Sequence, residues 1–492
     1  MKELKTSLIE KIQEQIRKIN RRQIIAFLVA MTLVVANGYS IIREFPIIQL
    51  ITVALAGLYL VFFHADLAMY LVAFTTPFSV IISSKNIHLG LSLPSEALMI
   101  TLTMVFFARI LYDLRIKRDF LKHPLSIAIL VYLGWMLLTC LTSARPVISL
   151  KFFASKVWFI TSCYWFFMQL VDDDLKNAVR YFNCYALGLA IIVSITTYLH
   201  ALSGFDEHYA HYVMSPFYND HTAYGAALAF MLPLSVGFIF LPGNKLQHYI
   251  FYIVISIILF IGFYLSYSRA AWLSMAVAIG VLVILKLRIK LSWLVASGLI
   301  IGALLFFYAD DILYKMSRNS QDSSGNFVEH IQSMSNISTD ASNMERINRW
   351  TAAFGMIKEK PVFGWGPGTY QFEYAPFQVG YYRTIISTDF GDGGNAHSEY
   401  IGPCAETGIP GALTVIAIVI VFLIIGIKTY IYSEDKTLKI LSLCVTLALV
   451  TYYTHGFLNN FLDTDKLSVI VWAAMAVITV CDVKRTTLPK TI

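Results

Sequence analysis

Charge is almost absent from a series of long runs in this sequence, and that pattern fixes the environment in which the chain folds. Residues 24–35, 47–63, 97–107, 127–141, 251–265, 275–285 and 415–427 are almost uncharged. A bilayer core takes about 20 apolar residues per helix. Composition agrees: 57% of residues are hydrophobic and 14% charged, against about 45–50% and about 25% in soluble domains. A water-soluble fold would need many helices apolar on every face, which buries more surface than one core has room for. The expected fold is therefore an all-α polytopic membrane protein with about 12–14 transmembrane helices. Spans are expected near 24–42, 46–64, 66–82, 93–112, 124–141, 153–171, 178–200, 221–241, 247–266, 269–286, 291–308, 399–427, 438–456 and 465–482. The aromatic content of 152–170 leaves an interfacial placement open for that stretch.

The ionisable residues sort by side. Lys2, Lys5, Lys11, Arg17, Lys18, Arg21 and Arg22 precede the first run. Further clusters are Arg115, Lys117, Arg118 and Lys122; Lys286, Arg288 and Lys290; Lys428, Lys436 and Lys439; and Lys484, Arg485 and Lys490. The positive-inside rule places all of them, and both termini, in the cytoplasm. The net charge of +7 thus reports topology and implies no nucleic acid partner. Leu8, Ile12, Ile16 and Ile19 recur at helical spacing among basic residues, which fits either a helix lying on membrane lipid or a solvated topogenic one. The charged stretch is too long for a cleavable signal peptide. The six cysteines stand apart, with no paired spacing, so neither a disulfide framework nor a metal site is expected.

One segment breaks the apolar pattern. It divides the chain into an N-terminal bundle of membrane helices (1–308), an external loop domain (309–398) and C-terminal membrane helices (399–492). Residues 317–342 are rich in Ser, Asn and Asp and read as a mobile loop. A helix is predicted over 343–360, with Met344, Ile347, Phe354 and Ile357 on one face and Pro361 as its stop. Gly364-Trp-Gly-Pro-Gly368 is a turn-rich elbow, and no strand precedes it as a dinucleotide fingerprint requires. Asp389–Asn395 reads as another turn.

Several polar residues stand where physical cost asks for a reason. Arg269, in Ser266-Tyr-Ser-Arg269-Ala-Ala-Trp272, lies between two spans on the external side, against the charge bias. An Arg within a span costs about 2.5–3.5 kcal/mol on insertion scales, so it serves either as a phosphate clamp or as a snorkelling interfacial residue. Arg346 and Arg349, three apart on the loop helix, form with Trp350 a cationic and aromatic face, suited to an anion or to plain solvation. His397, with Glu399 and Glu406 following, sits where the loop re-enters the membrane; an imidazole there is either structural or a base working near neutral pH. His221 opens a span on the same side, with Asp220 as its helix cap or as an orienting group.

Taken in order, these pieces resemble the O-antigen ligase and O-antigen polymerase superfamily of bacterial envelope glycosyltransferases. The residues that carry the resemblance are Asn219-Asp-His-Thr-Ala-Tyr-Gly225, Ser268-Arg269-Ala-Ala-Trp272 and Arg346 to Trp350. Pro361-Val-Phe-Gly-Trp-Gly-Pro-Gly368 and His397-Ser-Glu-Tyr400 with Glu406-Thr-Gly-Ile-Pro-Gly411 complete the set, over residues 215–415. The family usually shows His-Asn where this chain has His397-Ser398. The resemblance implies a metal-independent enzyme of the inner membrane without cofactor. It implies a glycan donor linked through diphosphate to undecaprenol and a hydroxyl acceptor, either a lipid A–core sugar (ligase), another lipid-linked glycan (polymerase) or a protein side chain. By that likeness Arg269 and His397 would be catalytic, while Arg346, Arg349, Trp350, His221 and Glu399 would bind diphosphate or glycan. A polysaccharide flippase is the rival from another class; it would place charge at mid-membrane in several spans and keep its loops short.

Overall fold

The computed structural model describes residues 31–32, 47–84, 89–112, 116–290, 293, 341–383, 387 and 394–487. Apart from residues 31–32 and 293, the expected spans at 24–42 and 291–308 lie outside these residues, as do the Ser/Asn-rich stretch up to 340 and most of the 389–395 turn. The chain divides into two compact units, 1–68 and 69–492. In the first, α1 (Ile47–Phe63) is an apolar helix of 17 residues; α2 (Ala65–Thr75) follows.

Among the described residues, nine helices are long and apolar enough to cross a membrane. They are α3 (Ser95–Tyr112), α4 (Pro124–Leu141), α7 (Lys176–Leu202), α8 (His221–Phe238), α9 (Leu246–Leu265), α10 (Arg269–Leu287), α12 (Ile401–Tyr432), α13 (Lys436–His455) and α14 (Asp465–Thr487). Between α4 and α7, α5 (Pro146–Ile160) runs through a π-helical turn, Thr161–Phe166, into α6 (Phe167–Asp173). The loop helix is α11 (Ala341–Glu359). The chain is thus an all-α, multi-pass membrane protein.

Local chemistry sets where these helices begin. Asp220 caps α8, accepting from the N–H groups of Thr222 and Ala223 at 2.8 Å each. Asp435 caps α13 through Leu438 N–H at 2.8 Å. Pro124 and Pro146 occupy first-turn positions, where a missing N–H costs nothing. The last helix is the centre of the bundle: every residue from Asp465 to Cys481 is buried, as an all-round apolar helix must be.

The helix ends collect at two rims. At one, Ser79 and Ser95 both donate to Asp465, Lys156 pairs with Asp463 at 2.8 Å, and Arg145 pairs with Glu373 at 2.7 Å. At the other, Lys117 bonds Asp172, Lys484 Nζ donates to the Asp172 carbonyl at 2.7 Å, and Thr429 Oγ1 donates to Asp482 at 3.1 Å. The second rim carries the basic clusters at 117–122, 286–290, 436–439 and 484–485. The first carries the loop helix and the starts of α8, α10 and α12.

Two expectations need correcting. Residues 66–82 are not one span: α2 stops at Thr75, a 3₁₀ turn covers Thr76–Phe78, and β1 (Val80–Ser84) pairs antiparallel with β2 (Leu89–Leu93). Here Pro77 and a β-branched, polar run oppose helix continuation. The aromatic stretch at 152–170 packs inside the protein, with Phe159, Tyr164 and Phe167 fully buried. On α11 the buried face is Glu345, Asn348, Arg349, Ala352, Ala353 and Met356, while Phe354 is exposed. The apolar periodicity misled because this helix packs a polar stripe inward.

Candidate active site

Three chain segments meet at the polar rim. The first is the start of α8. His221, next to its Asp220 cap, stacks on His211 with ring centroids 4.2 Å apart and planes at 15°. One turn further, a Cβ on Gly225 would lie 2.7 Å from Ser268 Cβ, so only glycine lets the start of α10 approach this closely. That approach brings in the second segment. Ser268 Oγ caps α10 through Ala271 N–H at 3.4 Å, and Arg269 takes the first helical position. The preceding Tyr267 has φ of 49°, a left-handed conformation that non-glycine residues adopt at a cost.

The third segment combines α11 with residues 394–400. Glu345 and Arg349 form a buried i,i+4 ion pair at 2.5 Å, and the Arg349 guanidinium lies 4.2 Å above the Tyr374 ring. A Cβ on Gly394 would fall 1.8 Å from Arg349 Nη1, so the chain beside His397 has room only for glycine. Burial raises the Glu345 pKa, but bonds from Ser387 and Arg349 outweigh it and hold the carboxyl below its ordinary value. Arg346, three residues earlier, donates from Nε to the Leu458 carbonyl at 3.2 Å.

His397 has φ of 47°, and its N–H bonds Asn395 Oδ1 at 3.0 Å. Burial, then the charges of Arg346 and Arg349, push its pKa down to about 4, with Glu345 and Asp220 pulling the other way. The imidazole is therefore neutral at pH 7 and available to accept a proton. The electrostatic neighbours of His221 are His211, Asp220, Arg346 and Arg269. Arg346 thus links the two imidazoles. The structure gathers Arg269, Arg346, Arg349, His221 and His397 at one place.

Other sequence candidates go elsewhere. Glu399 Oε1 accepts from Tyr452 Oη, Phe461 N–H (2.8 Å) and Leu462 N–H (3.0 Å), and Glu399 N–H bonds the Gly456 carbonyl at 2.8 Å. It ties the 456–462 turn to the rim; burial, then Asp463, raises its pKa. Ser398 Oγ accepts from the N–H groups of Tyr400 and Ile401, at 3.3 Å each, and so serves the first turn of α12. Trp350 is half-buried, and its indole Nε1 has no hydrogen-bond partner among the described residues.

The elbow and the start of α12 interlock for a reason legible in their backbones. Pro410 has no N–H, so the Glu406 carbonyl loses its helical partner. Gly366 N–H supplies one at 2.7 Å. Ile409 N–H turns to the Pro361 carbonyl (2.8 Å), and Trp365 N–H takes the Ala405 carbonyl (3.1 Å). Gly408 makes the break with φ 75° and ψ 176°, a region essentially confined to glycine. Glu406 Oε1 accepts from Tyr370 N–H at 3.0 Å. The Pro361–Gly368 motif thus splices the loop onto the broken helix whose entry carries His397.

Sequence reasoning missed Glu345, His211 and His455. Glu345 had a signal, its i,i+4 spacing to Arg349. His455 ends α13 at the same rim, 1% exposed, with Arg346, Asp220 and His221 as electrostatic neighbours.

These features define a class: a multi-pass membrane protein that gathers arginines and histidines, His397 among them neutral, at one rim. Residues 254–416, about a third of the chain, match the family model described as O-antigen ligase. That match supports the O-antigen ligase and polymerase superfamily, whose members are ligase- and polymerase-type glycosyltransferases, and it spans Arg269, both loop arginines and His397. No curated protein matches the chain.

Proposed function

We propose that the protein is an O-antigen ligase-like glycosyltransferase of the bacterial inner membrane, moving a preassembled glycan from undecaprenyl diphosphate to a lipid A–core hydroxyl on the periplasmic face. The observation that supports this reading is the convergence of Arg269 and Arg346 on His221 and of Arg346 and Arg349 on His397, with the three arginines and His397 inside the family-matching segment. The basic clusters at the opposite rim support an external placement of that convergence.

In the proposed reaction the arginines hold the diphosphate, where negative charge grows as the glycosidic C–O bond breaks. The acceptor hydroxyl oxygen bonds the anomeric carbon, its proton passes to His397, and undecaprenyl diphosphate leaves. Arg349 is set by Glu345 and Tyr374, so its charge is positioned before the substrate arrives. Asp220, Glu345 and Glu399 position the rim.

An envelope gel of a strain lacking the protein tests the assignment. Loss of all polymer from lipid A–core with lipid-linked polymer still present is the expected result. A single capped repeat would instead identify a polymerase, and an unchanged envelope with unglycosylated protein an oligosaccharyltransferase.

A further inference from the structure

The turn after α13 buries polar groups that no other described residue satisfies. Among the described residues, His455 Nδ1 and Nε2, Asn459 Nδ2 and Asn460 Oδ1 have no hydrogen-bond partner. His455 is 1% exposed and Asn459 3%. Asn460 is oriented by its own Nδ2, which donates to Asp463 Oδ2 at 3.1 Å, leaving its Oδ1 over. Buried polar atoms of this kind are uncommon, and apolar side chains would fill the same space without their desolvation cost.

The turn is also held rigidly from two sides. Glu399 grips it through Tyr452, Phe461, Leu462 and Gly456, and Arg346 Nε bonds the Leu458 carbonyl. Arg346, Asp220 and His221 are the electrostatic neighbours of His455, so the turn adjoins the arginine cluster. The orphaned set mixes an amide donor, a carbonyl acceptor and an imidazole that offers one of each. A diphosphate only accepts hydrogen bonds and leaves Asn460 Oδ1 unserved; a hydroxyl both donates and accepts.

We infer that the turn 455–460 is a saccharide subsite, in which His455, Asn459 and Asn460 hydrogen-bond hydroxyls of the sugar joined to the donor diphosphate. The inference rests on the proposed function and names the part of the donor that this turn reads.

Binding to the purified full-length protein tests it, using two probes: the host's own lipid-linked glycan and bare undecaprenyl diphosphate. Asn459→Ala and His455→Phe should each bind the glycan-bearing donor about threefold to tenfold more weakly, the effect of one lost hydrogen bond, with bare undecaprenyl diphosphate unaffected. Asn459→Leu, which keeps the shape and removes the donor N–H without adding a charge, should bind like Asn459→Ala at an unchanged or higher melting temperature. His455→Gln should recover part of the loss. Equal weakening of both probes would assign the turn to phosphate and overturn the saccharide subsite. Unchanged binding of both would make the turn structural only and overturn it too. Arg269→Ala separates the two levels: if it weakens neither probe, the diphosphate clamp itself is wrong whatever the turn does.

Discussion

His397 is held neutral by its surroundings, and this has a measurable consequence. Its pKa lies at about 4 where an unperturbed imidazole has 6.5. Burial is the main cause, and Arg346 and Arg349 add to it. At about 1.36 kcal/mol per unit, the folded protein resists protonating this ring by about 3 kcal/mol. A base must be neutral to act, so the acid limb of kcat/KM is expected near pH 4, not near 6.5. Stability follows the same group. Between pH 6.5 and 4 the unfolded chain takes up a proton that the folded chain refuses, so folding loses up to about 3 kcal/mol as pH falls through that window. His397→Gln removes this one contribution and makes the profile shallower there by that amount. It also removes proton transfer, lowering kcat by about 10²–10⁴-fold. The assay is transfer by purified protein across pH 3.5–8, with thermal melting recorded on the same samples. Activity in the wild type that halves near pH 6.5, or a Gln variant that keeps full activity, refutes the reasoning.

Three further outcomes are expected. Arg269→Ala abolishes transfer at normal protein level, and Arg269→Lys rescues it poorly because an ammonium lacks the bidentate fork; transfer assays with immunoblots decide this. Gly408→Ala destabilises the fold by about 1–3 kcal/mol from backbone strain alone, and more because its Cβ would stand 2.0 Å from the Val362 carbonyl oxygen; a lowered melting temperature and weakened transfer report it. An impermeant thiol reagent added to intact spheroplasts labels Tyr381→Cys at the polar rim, where Tyr381 is 83% exposed, and leaves Lys245→Cys at the opposite rim unlabelled until lysis; the reverse pattern inverts the orientation.

The membrane fold was legible because its signal is redundant: uncharged runs, basic clusters and a single polar interruption say the same thing. The candidate site residues stood out as chemistry out of place, since Arg269 on a turn at the rim opposite the basic clusters asks for a reason. Their partners did not. The polar stripe of α11 defeats apolar periodicity, because Glu345 and Arg349 neutralise one another and bury as a pair. His455 sits at the end of an ordinary apolar run, and only the fold brings it beside Arg346. The dependence of the Glu406 carbonyl on Gly366 follows from Pro410, but the partner lies some 40 residues away in sequence, beyond any local rule. The sequence resemblance named Glu399 as a substrate contact; the structure adds that its Oε1 accepts three bonds that hold the turn after α13.

The central claim is that this rim transfers glycan from a lipid diphosphate, and proteoliposomes test it most directly. Purified protein is supplied with labelled lipid-linked glycan and acceptor, without nucleotide, and released undecaprenyl diphosphate is counted against glycan joined to acceptor. The account predicts equal amounts of the two products, both lost in Arg269→Ala and in His397→Gln. Movement of intact lipid-linked glycan between leaflets with no release of undecaprenyl diphosphate would contradict it and identify a flippase.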